Sequence, residues 1–319
     1  RYISFTSASD RMVENDTNGF QDVFFQDTET DVRELISVDS NEVQANADSY
    51  GRSISGDGRY VIFYSIANNL VTGDTNGVSD VFIRDTVAGT TTRVSVSSSG
   101  GQANGGSYLG GISPDGNLVV FSSSANNLVS GDANGKSDIF VRNLSTGVTN
   151  LVSLASDGIT QGDGQSYFPS ISDDGRYVTF SSDAENFGSG NDGHEGDIFL
   201  KDTVSGTLIC ITPPRTGIAW RHGDSKVSGD GSTVVFYTAA NNLIGTGNDT
   251  NNTWDVFAYN VVTHAITRVS VSSSGAQGND GSEGFDISND GMYIFFSSSA
   301  SNLVLNDTNG TLDIFLHIQ

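Results

Sequence analysis

The chain holds one cysteine, Cys210, and only four prolines in 319 residues. A single thiol excludes an intrachain disulfide framework, and so little proline argues against a disordered linker. No run of about 18 apolar residues is present to cross a membrane as a helix. Positive charge is also scarce: 15 Lys and Arg stand against 38 Asp and Glu, a formal net charge of −23. A surface this acidic repels phosphate backbones and anionic lipid, which argues against nucleic-acid binding and membrane attachment through a basic patch. Apolar residues make up 36%, yet 18 Phe and 10 Tyr supply a core that a disordered chain would lack. Glycine, at 38 residues, marks a chain with many turns.

The dominant feature is an internal repeat. Six segments end alike, as in Asp74-Thr-Asn76-Gly77-Val78-Ser-Asp80-Val-Phe and Asp132-Ala-Asn134-Gly-Lys136-Ser-Asp138-Ile-Phe. The closing aspartate falls at 22, 80, 138, 197, 255 and 313, so the period is 58 or 59 residues. Within one period, Ser53–Ser55 leads through Gly56-Asp57-Gly58 into the β-branched and aromatic run Arg59–Ser65. A polar loop, Asn68–Ser79, precedes the strand Asp80–Asp85. A short turn at Ala88-Gly89 and a strand over Thr92–Val96 follow, and Ser97–Ser107 leads to the next repeat. Helical periodicity is absent. Four short strands per repeat, repeated six times, predict an all-β chain: a six-bladed β-propeller of four-stranded antiparallel blades, one domain over 1–319. A β-solenoid fits less well, because its coils are shorter and do not alternate tight turns with long loops.

These residues also carry a resemblance. Ser113-Pro114-Asp115-Gly116-Asn117-Leu118-Val119-Val120-Phe121-Ser122, with its relatives at 55–65, 172–182, 228–238 and 288–298, resembles the motif of TolB-like, PD40-type six-bladed propellers. The added Gly-Asp-X-Asn-Gly-X-X-Asp-Val-Phe segment resembles that of a secreted bacterial subset of the superfamily. The resemblance implies the fold over nearly the whole chain and says little of function, since propellers host lyases, hydrolases, lectins and scaffolds.

With strands A to D counted from the channel outward, A–B and C–D turns share one plain face. The long B–C loops and D–A crossovers share the other, where a ligand or partner is expected. The B–C loops carry oxygen-rich side chains around a sharp turn, the chemistry that Ca²⁺ prefers. The expected ligands are Asp16, Asn18, the Phe20 carbonyl and Asp22; Asp74, Asn76, the Val78 carbonyl and Asp80; Asp132, Asn134, the Lys136 carbonyl and Asp138. The later loops offer Asn191, Asp192 and Asp197; Asp249, Asn251, Thr253 and Asp255; and Asp307, Asn309, Thr311 and Asp313. Up to six Ca²⁺ are expected, which would move the net charge from −23 to −11. The competing reading is that Asp and Asn-Gly are turn formers; it leaves the aspartate at each strand start without a role.

The crossovers repeat Gln44/Asn46, Gln102/Asn104 and Gln277/Asn279. Either they hydrogen-bond loop backbone or they form a polar ring for sugar hydroxyls, with Tyr50, Tyr108, Tyr167 and Phe168 as stacking surfaces. Symmetry breaks at His194, Glu195, Trp220, Arg221 and His222, where a specific ligand or partner could be recognised. No catalytic constellation stands out: the four histidines lack metal-ligand spacing, and Cys210 lies in an apolar strand.

Arg1 aligns with Arg59 and Gln319 with Thr86, so the repeats at the two ends are each expected to lack one strand. Either this sequence is part of a longer chain that supplies the missing strands, or the edges are bare and recruit other strands, which would give self-assembly or strand complementation at the seam between blades one and six. The function expected is a secreted, calcium-stabilised structural or binding module, as in an extracellular filament. A carbohydrate-binding lectin, or a hydrolase or lyase with its site at the channel mouth, are the alternatives.

Overall fold

The computed structural model describes residues 1–188, 196–212, 223–245 and 247–319. Among them the regular elements are all β-strands, paired into six antiparallel sheets, and the fold class is a six-bladed β-propeller. The chain divides into two compact units, Arg1–Val152 and Ser153–Gln319, with three blades in each.

In the first unit, blade one is β1 (Tyr2–Ser7), β2 (Asp22–Asp27) and β3 (Val32–Leu35). Blade two is β4 (Ser49–Ile54), β5 (Tyr60–Ser65), β6 (Asp80–Asp85) and β7 (Thr90–Arg93). Blade three is β8 (Ser107–Ile112), β9 (Leu118–Ser123), β10 (Asp138–Asn143) and β11 (Val148–Leu151). In the second unit, blade four is β12 (Ser166–Ile171), β13 (Tyr177–Ser182), β14 (Asp197–Asp202) and β15 (Leu208–Cys210). Blade five is β16 (Ser225–Val227), β17 (Thr233–Thr238), β18 (Asp255–Asn260) and β19 (Ile266–Arg268). Blade six is β20 (Ser282–Ile287), β21 (Tyr293–Ser298) and β22 (Asp313–Ile318). The end blades are thus three-stranded and the other four are four-stranded.

Strands form where β-branched and aromatic residues concentrate, because a pleated surface buried on both faces suits them. In blade two, Phe63 pairs with Phe82 across β5 and β6, their rings stacked at 5.6 Å. The pair recurs as Phe121–Phe140 and Phe236–Phe257, at 5.7 and 6.0 Å. Each pair faces the preceding blade. Val23, Phe25 and Ile36 of blade one pack on Val61, Phe63 and Phe82, and Ile62, Val81 and Ile83 pack on Val119, Phe121 and Phe140. Blades four to six repeat the scheme through Val234, Phe236 and Phe257, and then through Ile294 and Phe296.

The A–B turn is fixed by its own side chains. Ser55 Oγ donates to Asp57 Oδ1 at 2.6 Å, and the same oxygen accepts the Arg59 N–H at 3.0 Å. The glycine that closes this turn in blade three, Gly116, has φ +73°, and a Cβ there would lie 2.3 Å from the Tyr60 ring of blade two. Both the left-handed backbone and the ring contact demand glycine. On the same face Arg59 grips Asp85 at 2.6 and 3.0 Å and lies over the Tyr60 ring. That guanidinium holds the Asp85 carboxyl below its ordinary range.

Strand D differs from the sequence expectation. It spans Thr90–Arg93 rather than Thr92–Val96. The N–H groups of Val94 and Ser95 both turn to the Val81 carbonyl, which ends the regular ladder. Val96 instead pairs with Gln102 inside the crossover.

Candidate functional site

In blade two the long loop runs from β5 to β6, so Asp80, the first residue of β6, lies at its root and is fully buried. Its Oδ1 accepts the Ser95 hydroxyl at 2.5 Å. Ser37 to Asp22, Ser270 to Asp255 and Thr212 to Asp197 repeat the bond at 2.5, 2.6 and 3.1 Å. An aspartate at the strand start therefore latches the B–C loop to the D–A crossover, a role that neither sequence reading included.

The asparagine of the motif also has a defined place. Asn76 Oδ1 accepts the Val78 N–H at 3.2 Å, while Nδ2 donates to Asp80 Oδ2 at 2.8 Å and to the Ala103 carbonyl at 3.0 Å. Asn18, Asn134, Asn251 and Asn309 accept the N–H of Phe20, Lys136, Thr253 and Thr311 in the same way. In this arrangement the asparagine oxygen closes the turn with one of its two lone pairs. The next residue is left-handed, Gly77 at φ +67° and, in loop five, Asn252 at +53°. Asparagine tolerates that conformation better than other non-glycine residues, which explains the departure in loop five.

The loops differ in what faces their paired carboxylates. In loop two, Arg93 at the end of β7 places Nη2 3.2 Å from Asp74 Oδ2 and Nε 3.5 Å from Asp80 Oδ2. Gln102 Nε2 donates to Asp74 Oδ1 at 3.0 Å. Loop five is built alike: Arg268 stands 3.4 Å from both Asp249 and Asp255, with Gln277 donating to both. Burial still raises Asp74 and Asp255, and the arginines work against it.

Loops one and three have no such cation. The residues in register with Arg93 are Leu35 and Leu151. Asp22 is fully buried, Asp16 is 6% exposed, and the Oδ2 of Asp22 has no hydrogen-bond partner. Gln44 binds the Asn15 carbonyl rather than Asp16. Burial raises both carboxyls, aided at Asp22 by the charge of Asp16. In loop three the buried Oδ2 of Asp132 likewise has no partner. Desolvation, with the nearby Asp138 charge, pushes Asp132 up to about 6.

The remaining loops are less closed. In loop six Asp307 and Asp313 are half-buried, and Asn309 donates to Asp313 at 3.0 Å. In loop four Asp197 is buried at the start of β14, whereas Asn191, Asp192, His194 and Glu195 lie outside the described residues, as do Trp220, Arg221 and His222. Among the described residues no three Asp, Glu, His or Cys side chains converge on one point. A cation here would have two carboxylates per loop, completed by carbonyls and water, a set that suits Ca²⁺ at low affinity.

The crossover amides are consumed internally. Asn104 Nδ2 donates to Asn126 Oδ1 at 2.7 Å and Asn127 Nδ2 to the Gln102 carbonyl at 2.8 Å. Asn46 and Asn279 repeat this pattern with Asn68 and Ser301. Of the aromatics considered for sugar stacking, Tyr50 stacks on Tyr64, which meets Tyr108 edge-on. Tyr167 donates to Asp183 at 2.6 Å. Tyr108 and Phe168 are exposed.

No protein-family model matches this sequence, and no curated protein matches it. Solved structures do resemble it. TolB from Acinetobacter baumannii superposes with a TM-score of 0.51 at 14% identity, over 95% of this chain and 61% of that one. A TolB-type protein from Agrobacterium tumefaciens gives 0.51 at 17%, over 100% and 90%. An oligogalacturonate lyase in complex with manganese gives 0.55 at 14%, over 93% and 71%. At these identities the likeness concerns the fold, that of TolB-like six-bladed propellers. The chain spans under two thirds of the Acinetobacter TolB.

Proposed function

We propose that the protein is a non-catalytic propeller that works outside the cell as a structural or binding module and takes up Ca²⁺ in its acidic loops. One observation carries the calcium part: Asp22 beside Asp16, and Asp132 beside Asp138, are carboxylates drawn out of water, and neither Asp22 nor Asp132 has a cationic side chain among the groups that shift it. Two like charges in a poorly solvated site repel strongly, and an oxygen-seeking divalent cation removes the repulsion. Millimolar calcium, as found outside cells, suits loops with so few charged ligands. Support for an assembly role comes from blade six, which leaves Tyr293, Phe295, Ile314, Leu316 and Ile318 exposed, an apolar face fit to meet another sheet.

Two other readings keep one observation each. Exposed Tyr108, backed by Tyr64 and Tyr50, is the surface a carbohydrate ring would stack on. A lyase is among the structural neighbours. However, the described histidines are placed poorly for catalysis: His264 is bonded to the Tyr259 hydroxyl, and burial lowers His317.

The test is thermal melting of the whole chain in CaCl₂ and in EDTA, with the metal content measured. A melt lowered by chelator and restored by calcium is expected. Identical melts, with no calcium retained, would overturn the reading.

A further inference from the structure

We propose that a strand-D arginine and a calcium ion are alternative occupants of the same place in these loops: Arg93 and Arg268 serve as built-in cations in loops two and five, while loops one and three are the Ca²⁺ sites. This rests on the calcium reading above and adds which loops take the metal and what decides it.

The repeat supplies an internal comparison. At one register position the blades carry Leu35, Arg93, Leu151, Cys210 and Arg268. Where arginine stands, it reaches both carboxylates of its own loop from a side chain that is itself buried, 8% exposed for Arg93 and 6% for Arg268. Where leucine stands, the carboxylates remain and the strand-D arginine does not. Asp22 is fully buried; Ser37 and Asn18, both neutral, are the side chains that favour its charge, and its Oδ2 has no close hydrogen-bond partner at the place where its counterpart, Asp80, meets Arg93. Asp132 repeats this with its own buried and unpartnered oxygen. In loop one the glutamine differs as well. Gln102 and Gln277 point their amide N–H groups at the first aspartate, whereas Gln44 turns to the Asn15 carbonyl and leaves Asp16 to another partner.

The chemistry selects the ion. The donors around loops one and three are carboxylate and carbonyl oxygens, which suit a hard cation. A guanidinium already seated between two carboxylates supplies the positive charge and fills the space, so loops two and five gain nothing from Ca²⁺.

The experiment is calorimetric titration of the whole chain with CaCl₂ alone, up to about 10 mM, well above the expected 10⁻⁴–10⁻³ M dissociation constants. Against wild type, Leu35→Arg and Leu151→Arg should each remove one bound ion, and Asp132→Asn should remove one. Asp74→Ala should leave the count unchanged, and Arg93→Leu should add one. If Arg93→Leu fails to fold, the two arginine insertions still decide the matter, because they bring a cation to Asp22 and Asp132, whose Oδ2 atoms lack a partner. The double Leu35→Arg, Leu151→Arg variant should also melt more nearly alike in calcium and EDTA than wild type. Calcium binding that falls with Asp74→Ala and ignores both arginine insertions would overturn this inference and leave the calcium reading intact. Wild-type protein that binds no calcium would overturn both.

Discussion

Nη2 of Arg93 lies 3.2 Å from Oδ2 of Asp74, and both side chains are almost wholly buried, 8% and 4% exposed. Removing one partner of such a pair leaves the other charged and out of water. In calcium-free buffer Arg93→Leu is therefore expected to lower stability by about 3–5 kcal/mol. Urea unfolding would measure it. Arg93→Lys should recover only part, because one ammonium cannot reach two carboxylates as a planar guanidinium does.

The loop glycines separate backbone strain from steric clash. Gly77, at φ +67°, has open space where a Cβ would be, so Gly77→Ala should cost about 1–2 kcal/mol for the left-handed backbone alone. Gly116→Ala adds a collision with the Tyr60 ring and should cost clearly more. Gly77→Asn should cost least, as Asn252 already occupies the equivalent place. Thermal melts of the three variants test the ranking.

The cross-strand phenylalanines hold blade to blade. Phe121 and Phe140 are fully buried and stacked at 5.7 Å. Truncating either to alanine should destabilise by about 3–5 kcal/mol, the usual cost of deleting a buried ring. Val148→Ala, at an exposed position of β11, should change stability little. Chemical denaturation of both variants would show the contrast.

Acid should act in two opposite steps on calcium-free protein. Asp132 has its folded value raised to about 6, so the repulsion that burdens the fold at neutral pH is relieved as pH falls through about 6. Asp27 and Asp157 are lowered to about 2, by the Arg1 guanidinium and by hydrogen bonds from Thr160. Their stabilisation is present above the unfolded value of 3.8 and is lost as pH falls from there toward 2. Melting temperature should therefore rise between pH 7 and about pH 5 and drop below pH 4. With calcium bound, the first rise should vanish, because protons then compete with the ion.

Much of this was legible in the chain. A period of 58 or 59 residues, Asp-Gly turns and runs such as Tyr60–Ser65 are local features, and local features fix strand, turn and blade count. The end of strand D was misjudged, since Val94 looks like any other β-former and only the carbonyl of Val81, on the neighbouring strand, shows that the ladder stops. The turn-closing role of the motif asparagines, each accepting the backbone N–H two residues on, shows only in the folded loop.

The amino-acid order by itself determined a repeating all-β architecture with one acidic loop in each repeat, because periodicity and turn chemistry depend on near neighbours. Only the tertiary structure decided which loops are already neutralised. Arg93 is distant in sequence from Asp74 and is brought to it by the β6–β7 pairing and the return of the loop to the strand start. Charge compensation acts through space over a few ångströms, and that distance is set by the folded sheet.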